Sequence, residues 1–134
     1  MQLEFAFICD YAEPGEKISA LGIGFDTIYA TRVPCIHPNF HLVAQFRASI
    51  AEAGNKELAI RLIDADGKDV VPPFNGILNI PQPQPGEVDT SGKLVVGFGG
   101  VQFNSYGQYA LHVVVQCNEV VRIPIRVAQP PSTG

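Results

Sequence analysis

The chain has 134 residues, of which 46% are hydrophobic and only 16% charged, with 13 Gly, 11 Pro and a formal net charge of −4. This length suits one domain that needs no disulfide or structural metal, and the composition favours short strands joined by tight turns over a helical bundle. The nine Lys and Arg residues are scattered, which excludes the basic stripe that binds a nucleic-acid backbone. We predict one domain over residues 1–128 and a polar C-terminal tail over residues 129–134.

The first ten residues do not have the features of a targeting or membrane segment. They lack a positively charged start, contain Glu4 within a short apolar run, and reach Asp10 too early for a signal or transmembrane helix. The three cysteines are odd in number and widely spaced, which argues against a disulfide framework and fits a reducing compartment. We therefore expect a cytoplasmic protein with no membrane partner and with buried free thiols at Cys9, Cys35 and Cys117.

Alternating side chains predict strands in the first half of the chain. Apolar residues recur at every second position from Leu3 to Cys9, which is typical of a strand with one buried face. Residues 17–30 predict a second strand that bends at Gly22 and Gly24, since two glycines in three positions are typical of a bulge or a close backbone approach. A loop that contains two prolines then leads to a strand over residues 42–50.

Residues 44–62 allow two interpretations. Ala51, Glu52 and Lys56 are good helix formers, but the pair Gly54–Asn55 interrupts any helix built on them. We favour a strand that ends at residue 50, a turn, and a second strand over residues 58–62. Asp66–Gly67 then predicts a tight hairpin turn with a positive φ at the glycine.

The second half of the chain predicts an edge strand, a loop and a long hairpin. Residues 74–80 form the edge strand, and three prolines make residues 81–86 a surface loop. Residues 94–103 resume the strand pattern. The final hairpin has strands over residues 107–115 and 120–127, joined by a turn at residues 117–119, and Pro124 marks an edge or a bulge.

These runs give about eight strands with turn signals roughly every ten residues. The pattern predicts an all-β fold, an antiparallel two-sheet β-sandwich of about seven to nine strands that is immunoglobulin-like or C2-like. Tyr109 follows Gly107 by two residues, as in a tyrosine corner, so we expect its ring in the core and its hydroxyl on the backbone.

Five segments of the chain together resemble an uncharacterised bacterial family of small β-sandwich proteins. They are Cys9–Ala12, Leu21–Tyr29, Ile63–Gly67, Gly107–Tyr109 and Arg122–Val127. The likeness runs nearly from end to end, and the segment Gly24-Phe25-Asp26-Thr27-Ile28-Tyr29 is its most distinctive part. Because this family has no established activity, the resemblance implies a fold and no catalytic residues.

Cys35, His37 and His41 are the weak candidates for a metal site. All three residue types ligate Zn²⁺, but the set matches neither the usual Cys-x2-Cys nor the His-Glu-x2-His spacing, and prolines interrupt it. They carry the alternative interpretation of the chain as a small metal- or ligand-binding enzyme. Asp64, Asp66 and Asp69 similarly suggest a calcium loop, but one loop supplies too few ligands and a hairpin turn accounts for the same residues.

Two groups of residues are the candidates for a binding surface. Asp10, Tyr11, Asp26 and Tyr29 combine polar and aromatic groups with neighbouring glycines, which allow a backbone to approach closely. His112 and Val114 lie on the outer face of the final hairpin, which is unusually apolar for a solvated face. Since no nucleophile motif occurs in the sequence, we predict a non-catalytic module without a cofactor that binds a protein partner or itself.

Overall fold

The computed structural model describes residues 1–131, which form an all-β fold of ten strands. The strands are β1 (Gln2–Cys9), β2 (Tyr11–Glu13), β3 (Ser19–Leu21), β4 (Thr27–Tyr29), β5 (Cys35–Ser49), β6 (Gly54–Ile63), β7 (Phe74–Ile80), β8 (Asp89–Phe103), β9 (Gly107–Val115) and β10 (Asn118–Ala128). No α-helix occurs in this range, where the helical residues form a 3₁₀ turn at Ile50–Glu52. The all-β prediction is confirmed, with ten strands instead of about eight.

Across residues 1–131 there is no helix with the length and apolar character needed to span a membrane. The predicted C-terminal tail is only partly within the described range: residues 129–131 follow β10 without regular structure, and residues 132–134 lie outside it.

The strands form a three-stranded sheet, a five-stranded sheet and a two-stranded ribbon. Their orders are β1-β5-β8, β4-β10-β9-β6-β7 and β2-β3. Every pair is antiparallel except β4 and β10, which run parallel, so the five-stranded sheet is mixed. The prediction of purely antiparallel sheets is wrong at this pair. β9, the hairpin partner of β10, pairs with one edge of β10, and β4 pairs with the other edge. A loop from the ribbon leads to β4, and such a loop, unlike a hairpin turn, does not impose an antiparallel direction.

One apolar core lies between the two large sheets. The three-stranded sheet contributes Phe40, Phe46 and Phe103, and the five-stranded sheet contributes Leu62 and Ile125, all fully buried. At the margins β7 lies beside β8 and β1 lies beside β10, so the sheets curve around this shared core. Burial of each such side chain stabilises the fold by roughly 1.5–3 kcal/mol.

A second, smaller cluster lies on the outer face of the three-stranded sheet. Cys9 of β1, Ala12 of the ribbon and Val43 of β5 are buried together there. Ile18 and Ala20 of the ribbon pack against the same cluster. The ribbon is therefore a cover on this sheet, and it positions the residues that connect it to β1.

The single strand predicted over residues 17–30 is two strands in different sheets. β3 pairs with β2 in the ribbon, whereas β4 pairs with β10. Gly22 and Gly24 between them have φ values of +70° and +87°, which end the extended conformation. The loop predicted around Pro34 and Pro38 is likewise wrong in part, because β5 already begins at residue 35; its pairing with β8 skips Pro38, which lacks an amide donor.

The preference for strands over a helix in residues 44–62 is confirmed. β5 ends at Ser49, a 3₁₀ turn follows, and β6 begins at Gly54. The two strands do not pair with each other, because the turn carries the chain from the three-stranded sheet to the five-stranded sheet.

Two hairpin turns lie one residue earlier than predicted. In the first, Gly67 has the expected positive φ, and its amide donates to the carbonyl of Asp64 at 3.0 Å, so the turn spans residues 64–67. In the final hairpin Gln116 and Cys117 form the turn, with φ values of 48° and 65°, and β10 starts at Asn118. Positive φ at both central positions is the type I′ geometry that matches the twist of the paired strands.

The predicted roles of Tyr109 and Pro124 are confirmed. The Tyr109 ring is buried, and its hydroxyl donates to the carbonyl of Ser105 at 2.7 Å, as in a tyrosine corner. β4 pairs with β10 only from Arg126 to Ala128, so Pro124 lies where β10 has an open edge. The missing amide of this proline therefore costs no sheet hydrogen bond.

Candidate functional site

The structure places the six predicted binding residues in four regions. Asp10 and Tyr11 lie where β1 meets the ribbon. Asp26 lines one groove on the surface and Tyr29 lines another. His112 and Val114 lie on the outer face of the five-stranded sheet, away from the ribbon. These residues therefore form no single site, and each region has to be considered by its own geometry.

Large apolar side chains are exposed where β1 meets the ribbon. Tyr11 and Leu21 are cross-strand partners in the ribbon, and Ile23 follows two residues after Leu21. Leu21 is 69% exposed, Ile23 is 59% exposed and Tyr11 is 47% exposed. We call these three residues the junction patch. Their side chains contribute little to the core, so their apolar surface stays available for contact with another molecule.

Backbone hydrogen bonds fix the junction patch to the body of the protein. The amide of Asp10 donates to the carbonyl of Leu21 at 3.0 Å, and the amide of Gly24 donates to the carbonyl of Ile8 at 3.0 Å. These two bonds bracket Ile23 and hold the chain against the end of β1. The junction patch is thus a preorganised surface instead of a free loop.

Gly22 permits the close approach of this segment to Asp10. A Cβ atom at position 22 would lie 2.1 Å from Oδ2 of Asp10, and the φ of +70° is one that L side chains rarely adopt. Only glycine meets both requirements without a shift of the backbone or of the carboxylate. The close backbone approach predicted from the glycines is therefore present, with Asp10 as the approached residue.

Tyr11 connects the junction patch to β5. Its ring meets the ring of His41 edge-on at a centroid distance of 5.2 Å, and its hydroxyl donates to Oε1 of Glu13 at 2.8 Å. Nδ1 of His41 is buried and has no hydrogen-bond partner among residues 1–131. The thiol of Cys9 lies beneath the ribbon, where burial raises its pKa, and an inert thiol is the expected result.

The three weak metal candidates have different surroundings. Cys35 lines a groove with Tyr29, whereas the ring of His37 lies 5.9 Å from that of Phe25, and His41 contacts Tyr11. Burial lowers the pKa of His37, and the nearby carboxylate of Asp10 opposes this effect. In the described part of the chain, no group of three or more His, Cys, Asp or Glu side chains is arranged to hold a metal ion.

The aspartates of the suggested calcium loop take part in local interactions. Oδ1 of Asp64 accepts hydrogen bonds from the amides of Asp66 and Lys68, both at 2.9 Å. Asp69 pairs with Nε of Arg61 at 2.9 Å. These contacts are those of a hairpin turn and of a cross-strand ion pair.

Asp26 and Tyr29 line separate shallow grooves. The groove at Asp26 has a volume of about 450 Å³ and is polar, with Gln108 and Arg126 on its walls. Asp26 itself accepts a hydrogen bond from the hydroxyl of Thr27 at 2.9 Å. The groove at Tyr29 has about 480 Å³ and also contains Cys35 and Ile36. Neither groove brings the residue into contact with the junction patch.

The outer face of the five-stranded sheet carries His112 and Val114. Nδ1 of His112 pairs with Oε1 of Glu119 at 2.5 Å, and Val114 lines an apolar groove of about 540 Å³ with Ala59 and Ile77. Apolar and charged side chains share this outer face, since Glu119 is the cross-strand partner of Val114 and Arg122 is that of His112. Cys117, predicted to be buried, is exposed at the end of this groove.

Sequence reasoning missed Leu21 and Ile23. Their alternation with Gly22 and Gly24 predicted a strand that bends at the glycines, and it did not identify either side chain as exposed. The signal that could have identified them is the glycine that separates them. A glycine with positive φ ends a strand, and apolar residues beside such a break need not be buried.

The comparison with protein families gives one result over most of the chain. The model of a family of unknown function, designated DUF6941, matches residues 4–128. No curated protein matches the chain. The match confirms the expected membership of an uncharacterised family, and the structure shows that the matched residues form a small all-β protein.

Proposed function

The chain belongs to the family of unknown function DUF6941, and we propose that it is a non-catalytic module that binds a protein partner through the junction patch. The observation that carries this proposal is the exposure of Leu21 and Ile23 on a backbone that is fixed in place. A soluble domain gains nothing for its own stability from large apolar side chains held in water.

The junction patch has the properties of a binding hot spot. Each large apolar side chain that becomes fully buried on a partner contributes roughly 1.5–3 kcal/mol. Tyr11 adds an aromatic ring with a polar end, a residue type enriched at such positions. Because two backbone hydrogen bonds already order the segment, little conformational entropy is lost when it binds.

The charges around the junction patch indicate the chemistry of the partner. Asp10 and Glu13 lie on either side of Tyr11 in the chain, and both are exposed carboxylates. The whole chain carries a net charge of −4. We therefore propose a partner that offers an apolar pocket with Lys or Arg side chains at its rim.

The sheets, the cysteines and the sequence resemblance support a proposed fold type, cell compartment and source. Two large sheets around one core support an immunoglobulin-like or C2-like sandwich as the scaffold. The free thiols of Cys9, Cys35 and Cys117 support a reducing, cytoplasmic compartment, and the sequence resemblance supports a bacterial source. The enzyme alternative requires Cys35, His37 and His41 in one pocket, and their different surroundings do not favour it.

Site-specific photo-crosslinking tests the proposal in the organism that encodes the chain. A photoreactive phenylalanine analogue replaces Leu21 in one variant and, as a matched control, Val88 in another, since Val88 is 78% exposed in a different loop. We expect a discrete adduct with one protein from position 21 and none from position 88. The same adducts from both positions, or none from position 21, would refute the assignment.

A further inference from the structure

The outer face of the five-stranded sheet has a regular arrangement of side chains. Its residues form rows across β6, β9 and β10, in which cross-strand partners lie side by side. Read from β6 through β9 to β10, the three central rows are Ala59-Val114-Glu119, Arg61-His112-Arg122 and Ile63-Ala110-Pro124. Nothing among residues 1–131 covers this face with another strand layer, whereas the ribbon covers part of the opposite sheet.

Charge changes sign between two adjacent rows of this face. On β10 the row of Val114 carries the carboxylate of Glu119, and the row of His112 carries the guanidinium of Arg122. Both residues are exposed. Glu119 pairs with Nδ1 of His112 in the same chain, whereas Arg122 forms no ion pair with any other described residue. Successive rows are about 7 Å apart along a strand, so the two opposite charges lie near each other along β10.

We propose that this face binds a second copy of the chain in a two-fold symmetric dimer. The proposed two-fold axis lies in the plane of the interface, at right angles to the strands and midway between the Val114 row and the His112 row. Rotation about this axis places the Val114 row of one copy opposite the His112 row of the other. Glu119 of each copy then faces Arg122 of the other, and Val114 faces His112. The interface is self-complementary in charge, as an isologous dimer requires.

The size of the face places the proposed dimer among weak interfaces. With the neighbouring strand β7 included, four strands about 4.8 Å apart and eight residues of about 3.4 Å each define a face of roughly 500 Å² per copy. The total of about 1,000 Å² is at the lower limit for a specific interface. The proposal therefore describes a weak dimer, which forms at high protein concentration. Dimerisation is independent of the junction patch, which lies on the other side of the molecule.

Sedimentation equilibrium between 10 and 500 μM tests the dimer and its charge pairs. We expect the wild-type mass to rise with concentration from the 14.5 kDa of one chain towards twice that value. Arg122→Glu and Glu119→Arg each place like charges in contact and weaken dimerisation at least tenfold. The double variant Glu119→Arg/Arg122→Glu restores opposite charges across the axis and returns the dissociation constant to within about threefold of wild type.

Lys17→Glu is the control, because it changes an exposed charge of the same sign on the ribbon side of the molecule. It should leave dimerisation unchanged, and thermal melting of all variants should show one folded transition. A wild-type protein of single-chain mass up to 500 μM would overturn the proposal. An unaffected dimer in Arg122→Glu, or a double variant without recovery, would also overturn it.

Discussion

At the scale of single residues, Gly22 determines the shape of the junction patch. Gly22→Ala introduces a Cβ atom 2.1 Å from Oδ2 of Asp10 and forces a side chain into φ +70°. We expect a loss of about 1–2 kcal/mol of unfolding free energy from the left-handed conformation, and a further loss of about 0.5–1.5 kcal/mol from the displaced carboxylate of Asp10. Chemical denaturation measures this loss.

Gly24→Ala is the matched control for that substitution. Its φ is +87°, but an added Cβ meets nothing within 4 Å, so only the conformational cost of about 1–2 kcal/mol applies. In a background of Asp10→Ala, the cost of Gly22→Ala should fall towards the value found for Gly24→Ala, because Cγ and Oδ2 are removed and only the Cβ of residue 10 stays close, at 3.0 Å. An unchanged cost in that background would show that Asp10 is not the obstacle.

The Tyr109 hydroxyl tests the tyrosine corner. Tyr109→Phe removes its hydrogen bond to the Ser105 carbonyl, and we expect a loss of about 0.5–1.5 kcal/mol in unfolding free energy. Tyr29→Phe, at a residue that is 55% exposed, should change stability by less than about 0.5 kcal/mol. Equal effects in the two variants would contradict a structural role for the Tyr109 hydroxyl.

His37 makes stability depend on pH. Burial lowers its pKa in the folded protein below the ordinary value of 6.5, so the unfolded chain binds a proton more readily. The stability contributed by the neutral ring is present above pH 6.5 and is lost as the pH falls below it. His37→Gln should therefore show a smaller loss of unfolding free energy between pH 7.5 and pH 5.5 than wild type. The same slope in both proteins would contradict this prediction.

At the scale of elements, the turn of the final hairpin has type I′ geometry, but its two central residues are of types that rarely adopt this geometry. Gln116 and Cys117 both have positive φ, a conformation that Asn and Gly adopt more readily. The double variant Gln116→Asn/Cys117→Gly should raise the unfolding free energy by about 1–2 kcal/mol and the melting temperature by a few degrees. A lower melting temperature would show that the two native side chains stabilise the turn.

The elements that could be predicted from sequence are those with a strong period of two. β6, β9 and β10 alternate regularly, and their inward residues, such as Leu111 and Ile125, are buried as expected. In β1 the predicted inward face is wrong in part, because Leu3 and Phe5 are exposed and Ile8 of the other face enters the main core. β4 could not be predicted in the same way, because its three residues have too little pattern to identify a partner. Its parallel pairing with β10 depends on the path of the loop from the ribbon, which is set by tertiary contacts.

The candidate site was less predictable than the strands. Asp10 and Tyr11 were identified from residue type and neighbouring glycines, and they lie at the junction patch. Leu21 and Ile23 could not be assigned to the surface, because an apolar residue in an alternating run has the same pattern whether a second layer covers it or not. The alternation has to be combined with the strand break at Gly22, and the position of the ribbon then shows both side chains to be exposed.

At the scale of the whole molecule, the two proposed surfaces lie on opposite outer faces. The junction patch adjoins the three-stranded sheet, and the proposed dimer uses the five-stranded sheet. A dimer therefore presents two junction patches that point away from its interface, and a partner with two binding sites would gain avidity from this arrangement. The two proposals remain independent, because a monomer still exposes one junction patch.

Titration calorimetry between this chain and the protein cross-linked at position 21 tests the central claim most directly. With the purified partner, Leu21→Asp should bind at least about 30-fold more weakly than wild type, which corresponds to a hot-spot loss of about 2 kcal/mol. Val88→Asp, at another exposed apolar residue, should bind within about threefold of wild type. Wild-type affinity in Leu21→Asp, or an equal loss in Val88→Asp, would contradict binding through the junction patch.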